Sequence, residues 1–427
     1  MDVLCNVASL HLPAMHIFVW PRRAALLLFF VVSVFPAWAQ NTTPNLKPDG
    51  ATKDAATSQV GKDAKLATTS SSTAVASKTP VKSTAKPSTA IAKKASKPGQ
   101  RSKAAKVRLG KAFGNTAAVK ALARELAKQH DMPVAWVQQQ ISKARVLPQV
   151  QQMILPAAAP TAKNWAAYRS RFIEPRRIDA GVQFWRQHEA ELQRAEKTYG
   201  VPSRYIVGIL GVETYFGQHQ GQFKVLDALA TLSLAFPKEH KQASEREAFF
   251  KNELGIFLQQ RLKNPALKNQ LGSYAGAIGW PQFMPSSIAK FAVDFDNDGR
   301  IDLAKSSTDA IGSIANYFQA YGWQTSMPTH FEVDMQAQGT DLDALLAPDI
   351  VPSWTAAHLA SQQVALAEAG RAFEGPLALV ELFNGNDAPS YVAGTENFFV
   401  VTRYNRSSYY ALAVIELGEV IEKALAE

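Results

Sequence analysis

The chain has 427 residues, 47% of them hydrophobic and 10% aromatic, which suits about two or three domains with a sizeable core and excludes a wholly disordered protein. Its formal charge is +10, yet residues 41–108 hold 14 Lys or Arg against 3 Asp or Glu, residues 1–40 carry +1, and residues 109–427 carry −2. The folded part thus offers no basic face for a phosphate backbone, and no nucleic-acid partner is expected.

At the N-terminus, Arg22 and Arg23 precede an apolar run from Ala24 to Phe35, and "AWAQ" supplies the small residues of a cut after Ala39. The run is shorter than the roughly 20 residues of a spanning helix, so residues 1–39 read as a cleaved export signal, with Met15 an alternative start. Cys5, the single cysteine, lies upstream of that run and is not the lipidated cysteine of a lipoprotein; disulfides and thiolate chemistry are excluded from the mature chain. Residues 40–108 are rich in Lys, Ala, Ser and Thr and hold no aromatic residue, the composition of a disordered tether. Its charge either solvates a spacer or draws it to anionic wall polymers and membrane headgroups.

Beyond Arg108 apolar residues recur at helical spacing, in runs 116–130, 132–145 and 180–200. The next run, "RYIVGILGVETYFG", puts Ile206, Ile209, Leu210, Glu213 and Phe216 at spacings of three and four, so Glu213 falls on the apolar stripe. Burial raises a carboxyl's pKa, as a general acid requires; the plainer reading ends the helix here, with Gly217 as terminator and Glu213 in solvent. "GSYAGAIGWPQFMPSS", Gly272–Ser287, interleaves glycines with Tyr274, Trp280 and Phe283, either a surface for sugar rings with Ser273 and Gln282 as hydrogen-bonding groups, or a tight structural connection.

In "DFDNDGRIDL", Asp294, Asp296 and Asp298 take positions 1, 3 and 5 of a calcium loop, Gly299 position 6, the Arg300 carbonyl position 7 and Ile301 position 8. Lys305 stands at position 12, where a glutamate belongs, and Asp309 is expected to close the coordination; an Asx-rich turn without an ion is the alternative. Helical runs continue over 245–262 and 309–323, and strand-like runs gather at 330–335, 377–383 and 397–404. The expected fold class is α+β, predominantly α: helical domains over 109–330, a small β subdomain over 331–395, and a return to the core over 396–427.

"YGVPSRYIVGILGVETYFG", "DALATLSLAFP", "GSYAGAIGWPQFMPSSIAKFAVDFDNDGRIDL", "DAIGSIANYF" and "VVTRYNRSSYYALAV" together resemble the membrane-bound lytic murein transglycosylase B family, glycoside hydrolase family 103, over roughly residues 110–425. The resemblance implies a lysozyme-like core, an exported, periplasmic monomer, and cleavage of the MurNAc–GlcNAc β-1,4 bond of peptidoglycan. It implies Glu213 as the single catalytic residue and Tyr168, Ser273, Gln282, Tyr317, Tyr404, Asn405 and Tyr410 as substrate-binding residues, with Thr214 in place of a common serine. No cofactor is expected for the chemistry, and a structural calcium ion is. In such an enzyme one glutamate donates a proton to the leaving oxygen, the N-acetyl group assists at C1, and the same glutamate deprotonates the C6 hydroxyl, giving a 1,6-anhydroMurNAc end without water. Hydrolysis by a muramidase usually takes two carboxylates. Asp227 is the nearest acidic candidate for the second, though it reads more simply as a helix cap. A non-catalytic wall-binding scaffold would not need Glu213.

Overall fold

The computed structural model describes residues 107–156, 163–335 and 341–427. The export signal and nearly all of the tether fall outside the described residues. Val107 and Arg108, assigned to the tether's end, already belong to the fold: Val107 packs on a core and the Arg108 amide donates to Gln149 Oε1.

Three short helices open the structure: α1 (Ala117–Gln129), α2 (Val134–Lys143) and α3 (Pro148–Met153). Thr116 caps α1 by accepting from the Val119 amide, and Val119, Leu122, Ala123, Leu126 and Ala127 form its buried stripe. Then come α4 (Trp165–Arg169), α5 (Pro175–Gln187), α6 (Glu189–Tyr199) and α7 (Ser203–Thr214). The helical run over 180–200 divides at His188, and Gly200, with φ 71°, ends α6. Strand β1 (Phe223–Lys224) leads into α8 (Val225–Leu234) and the long α9 (Ala243–Lys263), after which β2 (Leu271–Gly272) pairs antiparallel with β1.

These helices do not sort by chain order. Side chains of α8 and α9 share one core with α1, α2 and α3, where Leu126, Ile141, Leu229, Leu254 and Phe257 are buried. The N-terminal helical domain is therefore completed by a later segment, a distribution that periodicity alone does not reveal.

A second core gathers α4 to α7 with α10 (Pro285–Phe291), α11 (Ser307–Ala320) and the C-terminal helices. Between them lies the small sheet, built from β3 (His330–Met335), α12 (Leu342–Leu346), α13 (Ala356–Ser361), β4 (Val364–Leu366), α14 (Glu368–Arg371), β5 (Ala378–Asn384) and β6 (Asp387–Gly394), with strand order β4-β3-β6-β5. Alternation along β5 gives each face its own core: Ala378, Val380 and Leu382 join the second core, while Leu377 and Leu379 join a cluster with Phe331, Leu359 and Leu366. Pro389 is tolerated in β6 because only residues 392–394 of that strand pair with β3.

The last elements are α15 (Glu396–Tyr404) and α16 (Ser408–Ala426). The strand expected over 397–404 is thus a helix. Thr395 caps it by accepting from the Asn397 amide, and Phe398, Val400 and Val401 are buried in the second core, so packing overrides their preference for strands. Helix α7 lies almost wholly buried and meets α16 backbone to backbone: a Cβ on Gly208 would stand 2.2 Å from the Val414 carbonyl oxygen, and one on Gly418 would stand 2.1 Å from that of Arg204.

Candidate active site

Helix α7 has no solvent-facing side along most of its length, so Glu213 sits in the last turn of a buried helix and not on a stripe opposed by a polar face. The helix does end there, but Tyr215, not Gly217, is the terminating residue. Tyr215, Phe216 and Gly217 follow with φ of 52°, 54° and 79°, an unusual run of left-handed residues. The Phe216 amide returns to the Leu210 carbonyl, and Thr214 Oγ1 donates to the Trp280 carbonyl while accepting from the Gly217 amide. A Cβ at Gly217 would stand 2.6 Å from the Trp280 ring, so this turn admits only glycine.

Glu213 is half-buried and does not turn freely into solvent. The Tyr410 hydroxyl donates to its Oε1 across 2.6 Å. Burial pushes the Glu213 carboxyl up to about 7, against the Tyr410 hydrogen bond, which holds it down. Burial, and then the Glu213 charge, push the Tyr168 phenol to about 12 and those of Tyr404 and Tyr410 well above their usual value. Three of the expected residues therefore lie within electrostatic reach of this carboxylate and stay neutral, and Tyr410 donates to it.

The others sit differently. Tyr317 is only 2% exposed, donates to the Arg403 carbonyl at 2.6 Å and packs 4.9 Å from the Tyr404 ring, beneath the site and not on its surface. Tyr404 in turn donates to the Pro281 carbonyl at 2.6 Å, which ties the glycine-rich loop to the site. Asn405 is buried with its Oδ1 unpartnered. Gln282, at φ 50°, donates through Nε2 to the Gly279 and Gln220 carbonyls, while Ser273 Oγ accepts from the Ala275 and Ala277 amides, a local turn. Tyr274 and Phe283 are buried in the two cores, so of the loop's three aromatic residues only Trp280 is partly open. The loop is thus a tight connection as well as one side of the site. Asp227 lies in the other core, buried, its Oδ1 accepting from the Arg145 amide at 3.1 Å.

In the acidic loop, carboxylate oxygens of Asp294, Asp296 and Asp298 lie within 4.8 Å of one another, a set of hard oxygens that fits a calcium ion. The Asx-type bonds are present too: Asp294 accepts from the Asp298 and Gly299 amides, and Asp298 accepts from the Arg300 amide. Asp309 does not join the group. It is 1% exposed, and its two oxygens accept from the Phe295, Asp296 and Asp302 amides, bracing the loop from behind. Ile301, the apolar residue at position 8, is exposed.

Residues that periodicity did not single out complete the surroundings. Tyr409 meets Trp165 and Tyr168 edge-on, each at 5.8 Å between centroids. Arg177 Nη1 donates to the Gly211 carbonyl at 3.1 Å, in the last turn of α7, and its guanidinium lies 4.8 Å from the Tyr215 ring. Neither arginine of "PRRI" carries such a signal in sequence.

Residues 114–419 match the family model described as a transglycosylase SLT domain. The membrane-bound lytic murein transglycosylase B of Escherichia coli (strain K12) is 36% identical over 334 residues, 74% of this chain and 86% of that protein. The Escherichia coli lytic transglycosylase SLT35 in complex with calcium aligns with a TM-score of 0.64 at 34% identity, covering 75% of this chain and 97% of that one. Soluble lytic transglycosylase SltB1 from Pseudomonas aeruginosa aligns with a TM-score of 0.65 at 35% identity, covering 72% and 99%. The second core, with Glu213 at the end of its buried helix, is lysozyme-like in the manner of these neighbours. From the match across both helical cores and the sheet, the chain belongs to the lytic murein transglycosylase B family.

Proposed function

We propose that this enzyme cleaves the MurNAc–GlcNAc β-1,4 bond of peptidoglycan without water, leaving 1,6-anhydroMurNAc ends. The observation that carries the reading is a single carboxyl, that of Glu213, held near pKa 7 by burial and hydrogen-bonded to a neutral tyrosine. Protonated, Glu213 gives its proton to the glycosidic oxygen as the bond from C1 to that oxygen breaks. The N-acetyl oxygen of MurNAc holds C1 until the ionised Glu213 removes the C6 hydroxyl proton and O6 bonds to C1. A group that donates and then accepts is most effective with a pKa near the working pH. Asp227, committed to the Arg145 amide, is a poor source of the second carboxylate that hydrolysis uses. Mass spectrometry of muropeptides released from purified sacculi tests the proposal: anhydro ends are expected, and reducing ends in their place would make the enzyme a muramidase.

Export to the periplasm follows from the same substrate and from the leader-like residues 1–39. The basic tether would add a salt-sensitive attraction to sacculi and anionic membranes, read by co-sedimentation of full-length and truncated protein at low and high salt. Asp294, Asp296 and Asp298 would hold a calcium ion for stability, a role supported by their spacing and by the calcium complex of the SLT35 neighbour.

A further inference from the structure

Among the described residues Phe383 is the one Phe, Tyr or Trp side chain that stands exposed, at 42% of its surface. A lone exposed apolar residue needs no explanation. This one differs because three other features converge on it. First, Phe383 lies where the β5 and β6 register shifts between Leu382 and Asn384, an irregularity of the kind that re-aims a side chain. Second, the Gly385 amide donates to the Lys163 carbonyl at 3.0 Å and Asn164 bridges Asn384, so the sheet is fastened to the helical core at this point. Lys163 Nζ then stands 5.7 Å from the Phe383 ring centroid, within cation–π range. Third, a chain of contacts runs from the Phe383 backbone to the carboxylate of Glu213. The Tyr409 hydroxyl donates to the Phe383 carbonyl at 3.2 Å, the Tyr409 ring meets that of Tyr168 at 5.8 Å, and Tyr168 feels the Glu213 charge.

A glycan strand is long, each pyranose has an apolar face of C–H groups, and stem peptides on MurNAc carry free carboxylates. Aromatic rings complement the first and a lysine the second. We infer that Phe383 and Lys163 form a distal glycan subsite, in which a sugar ring of the bound strand stacks on Phe383 while Lys163 meets a stem-peptide carboxylate. The inference rests on the peptidoglycan reading above and extends the site across the seam between sheet and helical core.

Binding is read in a Glu213→Gln background, which removes the transferable proton so that strands are held uncleaved. Phe383→Ser is expected to weaken the affinity of that protein for long soluble glycan strands about three- to tenfold, the range of one aromatic stacking contact. Phe383→Tyr keeps the ring and should keep the affinity, which separates stacking from a folding defect. Lys163→Glu should weaken binding of strands bearing stem peptides and leave unchanged that of strands stripped by an amidase. Val351→Ser, at another exposed apolar residue, is the control. Equal affinity of Phe383→Ser and its parent for long strands overturns the subsite, and a Lys163→Glu loss that persists on stripped strands overturns the peptide contact. The chemistry fails separately, if the unsubstituted enzyme leaves no anhydro ends on sacculi.

Discussion

The Tyr410 hydroxyl donates to Glu213 Oε1 across 2.6 Å, joining the last turn of α7 to the first turn of α16 over 197 positions of sequence. The bond stabilises the ionised carboxylate and so opposes the burial that raises its pKa to about 7. Without that donor the acid form gains. Tyr410→Phe is therefore expected to move the alkaline limb of the kcat/KM profile upward and to lower the rate on the order of tenfold, because a charge-assisted hydrogen bond is lost from the base form. A profile over pH 5 to 9 checks this. An alkaline limb that stays in place would show that Tyr410 does not set the Glu213 pKa.

Glu213→Gln should abolish turnover and stabilise the fold at neutral pH. Folding raises this carboxyl from its ordinary 4.5 to about 7, so the native state binds the proton more tightly than the unfolded chain. Its contribution to stability is complete below about 4.5 and is lost as pH rises to about 7. At pH 8 the ionised carboxylate then costs the fold on the order of 3 kcal/mol, which a neutral amide of equal volume avoids. Melting curves should place the Glu213→Gln protein above wild type at pH 8 and close to it at pH 4.5. A constant gap at both would sink the linkage.

The acidic loop divides into residues that would hold an ion and one that holds the loop. Asp294→Asn is expected to remove the rise in Tm on adding calcium while changing little in chelator. Asp309→Ala leaves the Phe295 and Asp302 amides unpaired and should cost about 2 kcal/mol with or without calcium. If the Asp309 variant loses only the calcium response, Asp309 is a ligand after all.

Glu213 was legible in sequence because a carboxylate in an apolar helix breaks the local pattern, and such breaks mark sites. The three tyrosines around it were not legible from periodicity, since Tyr168, Tyr404 and Tyr410 come from three different helices, and only the family resemblance pointed to them. The same resemblance put Tyr317 in the cleft, where the structure buries it under Tyr404. The strand-like runs at 330–335 and 377–383 fall on β3 and β5, whereas the β-branched and aromatic residues of α15 mimic a strand because both kinds of element bury such side chains. That α8 and α9 return to the N-terminal core is a tertiary fact with no local signal.

Arg177 holds the turn that aims Glu213. Its Nη1 donates to the Gly211 carbonyl, one of those a helix end leaves free, and its guanidinium lies 4.8 Å from Tyr215 and 5.2 Å from Phe172. Tyr215 and Phe216 are left-handed without being glycine, which costs of order 1–3 kcal/mol each and persists only where neighbours enforce it. Arg177→Met keeps the bulk and removes both the hydrogen bond and the charge. The turn should then relax, Tm should fall, and kcat should drop about tenfold or more with little change in KM, because a misplaced acid still lets substrate bind. Arg177→Lys should recover only part of this, since an ammonium lacks the planar fork that donates to a carbonyl while lying on a ring. A rise in KM at unchanged kcat would instead place Arg177 against the substrate and not behind the glutamate.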